Sequence, residues 1–242
     1  MIEYKSVVGE KPEVKYIEKD GILYETPEYS DYKNKLGLEY KLKRSGIPIF
    51  IINYDFEKDY IGDKDSEVCK KVLRYCDKFS EKFFDKTIYF YGDRGTQKTT
   101  VAYWIGKKLI RQGKDVKFVT MKKLVDDLSN LQFNPELNEK IEGYKKADLL
   151  IVDRAFDKDQ VTVYKSGYQL SFLDSFLRER IENSMRATII ISNNAVEEIS
   201  DNKFNSDLED LVKRSTVSIG TAIEFKDHYS LKDDFEIKDL WG

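Results

Sequence analysis

The chain has 242 residues, 41 Lys and Arg against 44 Asp and Glu, and a formal net charge of −3. Hydrophobic residues make up 40% and charged residues 35%, which excludes disorder throughout the chain and allows a sizeable core in one or two domains. No run approaches the ~18 apolar residues of a membrane-spanning helix. Met1-Ile2-Glu3-Tyr4-Lys5 lacks the apolar stretch of a secretory signal. A soluble cytoplasmic protein without membrane contact is therefore expected. The slight acidity excludes a binder that is basic along its whole length, but not a local basic patch.

In chain order, residues 1–46 are dense in Lys, Glu and Tyr, and Pro12, Pro27 and Gly21 interrupt any long period. They read as an N-terminal arm or adaptor, with short strands at 14–17 and 22–24 and a helix at Asp31–Arg44. Gly46-Ile47-Pro48 marks a joint, because a proline biases the residue before it away from helix. Val68, Val72, Leu73, Cys76, Phe79 and Phe83 recur at helical spacing and predict one amphipathic helix over 66–85. The two cysteines, Cys69 and Cys76, lie roughly 10.5 Å apart along that helix, too far for a disulfide. With His228 as the single histidine they also make no metal cluster, so both are expected to pack half-buried.

Short apolar strands then alternate with helices. Strands are expected at 88–91, 116–119, 149–152 and 188–192, and helices at 98–112, 121–131, 135–146, 170–185 and 207–215. This alternation predicts an α/β fold, a parallel sheet with helices on both faces. The core is expected over 47–229, with a tail at 230–242.

The strongest motif is Gly92-Asp93-Arg94-Gly95-Thr96-Gln97-Lys98-Thr99-Thr100, set between a buried strand and an amphipathic helix. That is the context of a phosphate-binding loop, whose backbone N–H groups and helix N-terminus cradle phosphate. In such a loop the lysine, here Lys98, reaches the β- and γ-phosphates, and the next hydroxyl, here Thr99, holds Mg²⁺. Gln97 stands where the pattern places its second glycine, so a weakened or reshaped cradle is expected. Asp153 ends a buried strand and is placed to hold Mg²⁺ through water, facing the crevice where ligands bind. Arg154 follows it, although hydrolysing ATPases usually carry an acid there. Asn193 and Asn194 end another apolar strand, either as reporters on the γ-phosphate or as a turn. Lys213-Arg214 ends a helix, and by itself this pair equally complements the helix dipole.

The order and spacing of these motifs resemble the DnaC/IstB-like helicase-loader branch of the AAA+ ATPases. Ser45-Gly46-Ile47-Pro48 is similar to the opening motif of that branch, Lys146–Asp153 to its Walker B approach, Ala187–Asn193 to its sensor-1 strand, and Leu211-Val212-Lys213-Arg214 to the helix bearing its arginine finger. The resemblance covers about Ser45 to Tyr229. It implies an AAA+ P-loop sheet, ATP and Mg²⁺ as cofactors, and Lys98, Asp153, Asn193 and Arg214 as the catalytic set. It also implies an ATP-dependent homo-oligomer, with Arg214 reaching a neighbour, and a replicative helicase and single-stranded DNA as partners. A transposition helper acting on duplex DNA and a non-hydrolysing scaffold are the alternatives. A small-molecule kinase fits less well, since no arginine-rich lid is present.

The chain departs from the family at Gln97, at Arg154, and at Lys226–Ser230, where the family often has an arginine. A guanidinium cannot accept a proton from water, so slow or partner-dependent hydrolysis is expected. Brisk turnover would mean that another carboxylate, Asp157 or Asp159, takes the acid's place. Lys122, Lys123, Lys158 and Lys165 are candidate DNA contacts by position, or else a solvated face.

Overall fold

The computed structural model describes residues 8–157, 167–200, 204 and 206–226. The chain begins with an antiparallel hairpin, β1 (Tyr16–Lys19) and β2 (Ile22–Glu25). Asp20 and Gly21 both hold positive φ, 53° and 76°, the conformation a two-residue hairpin turn demands. Helix α1 (Pro27–Ser45) starts four residues earlier than expected, because Thr26 caps it and Pro27 occupies its first turn. Gly46 closes it in the left-handed conformation, where an added Cβ would lie 2.9 Å from the Phe118 carbonyl oxygen. Leu38 and Leu42 of α1 are buried in the core, so within the described N-terminal segment the hairpin is what stands off it, with Ile17, Ile22, Leu23 and Tyr24 exposed.

After a one-turn helix α2 (Phe56–Asp59) comes α3 (Glu67–Asp77). The single helix expected over 66–85 is not formed. Residues Phe79–Phe83 make a wider turn, which lets Phe79 and Phe83 both reach the Tyr75 ring at 5.5 and 5.3 Å. Cys69 and Cys76 form no disulfide and are buried rather than half-buried, and burial pushes the Cys76 thiol up to about 12.

The remaining elements are β3 (Thr87–Tyr91), α4 (Lys98–Arg111), β4 (Val116–Thr120), α5 (Met121–Ser129), α6 (Leu137–Lys146), β5 (Leu149–Asp153), α7 (Gly167–Arg178), β6 (Ala187–Ile191), α8 (Ser206–Ser215) and β7 (Ala222–Glu224). The sheet order is β4-β5-β6-β3-β7, with every pairing parallel. Side chains alternate between its faces as strand geometry requires. Ile88, Phe90, Ile151 and Ile189 pack with α1, α3 and α4, while Tyr89, Leu150, Val152 and Ile190 pack with α5 to α8. The α/β fold expected from the alternating pattern is thus the fold observed. Among the described residues no helix is long and apolar enough to cross a membrane.

The helix expected over 170–185 also ends early, at Arg178, and a second wide turn follows over Glu179–Asn183. That turn aims Arg180 inward, where it is completely buried. Its guanidinium donates to the carbonyl oxygens of Tyr144, Lys145, Ala147 and Ala187 and to Thr188 Oγ1, at 2.6 to 3.1 Å. One side chain therefore ties the end of α6 and the approaches to β5 and β6. Burial pushes the guanidinium down to about 9, which still leaves it protonated at neutral pH. Arg180→Leu should lower stability by about 3 kcal/mol, since several hydrogen bonds from a charged donor at ~1.5–3 kcal/mol each are lost against a relieved desolvation cost. A urea midpoint equal to wild type would show that the carbonyl oxygens find other donors.

Candidate nucleotide-binding site

The loop between β3 and α4 lies at the C-terminal edge of the sheet. Gly92 has φ 129°, and a Cβ there would collide with the Phe225 carbonyl oxygen at 2.1 Å, so the close approach of the chain beyond β7 requires glycine. Gln97 holds φ 61°, the left-handed conformation that costs a non-glycine residue ~1–2 kcal/mol. The backbone therefore adopts at Gln97 a conformation that glycine would hold without strain. Its side chain has a second task, as Oε1 accepts the Ile61 N–H at 3.1 Å and ties the loop to the segment after α2.

Lys98 opens α4 with its side chain folded back across the loop. Nζ donates to the carbonyl oxygens of Gly92 (2.7 Å) and Asp93 (2.6 Å) and to Thr96 Oγ1 (3.1 Å). Burial pushes the ammonium down to about 8, against the pull of Asp153, Asp157 and Asp93. Thr99 Oγ1 donates to both carboxylate oxygens of Asp153, at 3.2 and 3.3 Å, linking the first turn of α4 to the end of β5. Burial raises the Asp153 carboxyl above its ordinary range, while the N–H of Arg154 (2.8 Å to Oδ1), Thr99 and the Arg154 charge oppose this.

These residues face one cavity of about 590 Å³, lined by Arg94 to Thr100, Asp153, Arg154, Asp157 and Ile191 to Asn193. Its size suits a small ligand, and the N-terminus of a 14-residue helix opens into it. Among the described residues no three His, Cys, Asp or Glu side chains cluster as a metal site of their own. A hydroxyl and a carboxylate in contact do suit Mg²⁺, which takes few protein oxygens and completes its shell with water and phosphate.

The cavity thus brings together Gly95, Thr96, Gln97, Lys98, Thr99, Thr100, Asp153 and Asn193. It does not include Arg214. That side chain ends α8 and pairs with Asp210 (2.8 Å) and Glu182 (3.2 Å), about half exposed, beside Met185 and Ile219. Asn193 Nδ2 donates to Asp157 Oδ1 at 3.2 Å, so a second carboxylate joins the site. Arg154 and Phe156 hold φ 53° and 59°, and nothing in their residue types announced that bend. Lys123 of α5 pairs with Asp127 at 2.6 Å, and Lys226 with Glu224 at 2.9 Å. Lys158, Asp159, Lys165 and His228 to Ser230 lie outside the described residues, as does the tail over 230–242.

A family described as IstB-like ATP binding protein matches residues 41–214. The replicative helicase loader DnaC of Buchnera aphidicola subsp. Schizaphis graminum is 28% identical over 156 residues, 63% of this chain and 60% of that protein. The chain thus spans less than two thirds of that relative. A crystal structure of the DnaC helicase loader superposes with a TM-score of 0.55 at 17% identity, covering 73% of this chain and 94% of that one. The AMPPCP-bound DnaA of Aquifex aeolicus superposes with a TM-score of 0.55 at 15% identity, covering 72% and 49%. Both structures share the fold of this chain.

The two tasks of Gln97 separate by substitution. Gln97→Ala removes the Ile61 tie and keeps the strained backbone, whereas Gln97→Gly removes both. The glycine variant should be the more stable of the two by about 1 kcal/mol. Equal urea midpoints would mean that position 97 carries no strain.

Proposed function

The chain belongs to the IstB-like ATP-binding family, and from that premise we propose that it is a DNA-replication factor of the helicase-loader kind. It binds ATP with Mg²⁺, assembles as an ATP-dependent homo-oligomer on single-stranded DNA, and works with a replicative helicase in the cytoplasm. The observation that supports this best is the meeting of Lys98, Thr99 and Asp153 in one cavity at the start of α4. In this reading Lys98 turns from its own loop carbonyls to the β- and γ-phosphates, while the N–H groups at the start of α4 hold the β-phosphate. Thr99 and Asp153 would hold Mg²⁺, which when bound neutralises charge on the phosphate oxygens. Asn193 borders the γ-phosphate end. Arg214 lies outside its own chain's cavity and beside exposed apolar side chains, a position suited to a neighbouring subunit's nucleotide. Residues 1–46 form the adaptor arm, 47–229 the ATPase core and 230–242 a tail, and because α1 is seated on the core the hairpin is the free part of the arm.

Arg154 follows Asp153 where an acid is usual, so, unless a carboxylate from elsewhere in the site takes its place, hydrolysis is slow or waits on a partner. ATP then acts first as an assembly ligand. The family description favours one second reading, a transposition helper that uses the same core on duplex DNA. Preference for duplex over single-stranded DNA in an ATP-dependent binding assay would select it.

Calorimetric titration with ATP tests the shared premise. Lys98→Ala should weaken binding about 10- to 100-fold, the worth of one charge-assisted contact at ~1.5–3 kcal/mol. Unchanged affinity would remove the phosphate-loop reading. Arg214→Ala should leave ATP binding intact and reduce ATP-dependent assembly in light scattering. Normal assembly of that variant would leave Arg214 as the partner of Asp210 and Glu182 alone.

A further inference from the structure

Position 154 holds no carboxylate to orient the attacking water, and we infer that Asp157 supplies it. The inference rests on the ATP-binding reading above and names the residue through which that site turns over.

The backbone after β5 carries the first argument. Two residues that are not glycine, Arg154 and Phe156, hold left-handed conformations, each unfavourable by ~1–2 kcal/mol. Several contacts maintain this bend. Ala155 N–H donates to the Ile191 carbonyl oxygen at 2.7 Å, so the chain continues along the end of β6. Phe156 N–H donates to Met121 Sδ at 3.4 Å, and the Phe156 ring is fully buried edge-on against Phe204 at 5.3 Å. Asn194 Nδ2 donates to the Phe156 carbonyl oxygen at 3.1 Å, and the Asn194 carbonyl oxygen accepts the Tyr89 hydroxyl at 2.9 Å. The bend leaves Arg154 exposed and brings Asp157 back to the cavity of Lys98, Thr99 and Asp153. Strain held this firmly is a common property of functional sites.

The surroundings of Asp157 carry the second. The residue is only 8% exposed, yet it lines the cavity. Among the described residues no Lys or Arg reaches it within ion-pair distance, and the Lys98 charge acts on it only from across the cavity. Asn193 Nδ2 holds Oδ1 at 3.2 Å, and no described residue donates to Oδ2. One oxygen is thus anchored, and the carboxylate faces the cavity in which a water would attack the γ-phosphate.

The step balances with groups already named. Asp157 Oδ2 accepts one O–H of a water molecule and aims the oxygen's lone pair at the γ-phosphorus. The new P–O bond forms as the bond to the β–γ bridging oxygen breaks, and ADP leaves with that electron pair. The water's proton departs on the released phosphate. Asp157 is here a catalytic residue, since it touches the attacking water, and Asn193 is the positioning residue that fixes it.

The test measures single-turnover phosphate release from ATP and Mg²⁺ with single-stranded DNA, alongside calorimetric ATP affinity and the urea midpoint. Asp157→Asn keeps size and an acceptor for Asn193 but loses the charge. It should release phosphate about 10²-fold more slowly than wild type while still binding ATP. Asp157→Glu keeps the carboxylate and should recover part of the rate, which separates the role from a folding defect. Equal rates for Asp157→Asn and wild type, or for the Asn and Glu variants, would overturn the assignment. So would a wild-type protein that binds ATP and releases no more phosphate than Lys98→Ala. A wild-type protein that binds no ATP would overturn the underlying reading as well, and the calorimetry shows that outcome separately.

Discussion

Parallel pairing of three adjacent strands, β5, β6 and β3, is the constraint on which the site depends. Val152 lies opposite Ile190 and Ile191 opposite Phe90, so the three strands end at nearly the same level. Their next residues are Asp153, Ser192-Asn193 and the Gly92 loop. No side chain at the site would face another if any strand slipped by one position, because each slip turns a strand's side chains to the opposite face. Arg180 secures the other end of the same strands by binding the Ala147 and Ala187 carbonyl oxygens. Sheet register and site geometry are therefore one property, fixed at both ends by buried polar contacts.

Helix α4 is the second organising element, because the segment that opens the core is tied to it at two heights. Near its start, Gln97 holds the Ile61 N–H. Further along, Lys107 Nζ donates to the carbonyl oxygens of Ile52 (3.3 Å) and Tyr54, and burial pushes its ammonium down to about 8. The Phe56 ring packs tilted against Trp104 of the same helix, with centroids 5.0 Å apart. The segment from Ile49 to Ile61 is thus laid along the helix that also presents Lys98 and Thr99.

Much of this was legible in the sequence, for identifiable reasons. Buried parallel strands read as short apolar runs: 88–91, 116–119 and 149–152 fell on strands, and 188–192 overlaps β6, which ends at Ile191. The loop, Asp153 and Asn193 were found because a glycine, a lysine followed by a hydroxyl, and a polar residue ending an apolar run each have a local signature. Strand β7 escaped because three residues carry no period. The breaks after Asp77 and Arg178 escaped because helical spacing continues through them. They are set by ring packing on Tyr75 in one case and by the Arg180 contacts in the other. Asp157 joins the cavity only through left-handed backbone at Arg154 and Phe156, which no residue pattern encodes. Position 97 is a related case, since the left-handed backbone at Gln97 is one that the residue type does not announce.

The central claim is that the Lys98 loop is a phosphate cradle held closed by its own lysine. A crystal structure with a non-hydrolysable ATP analogue and Mg²⁺ tests it most directly. Lys98 Nζ should leave the Gly92 and Asp93 carbonyl oxygens for the phosphates, with Thr99 and Asp153 facing the metal. An analogue bound elsewhere, or bound with Lys98 still on its loop carbonyls, would contradict the account.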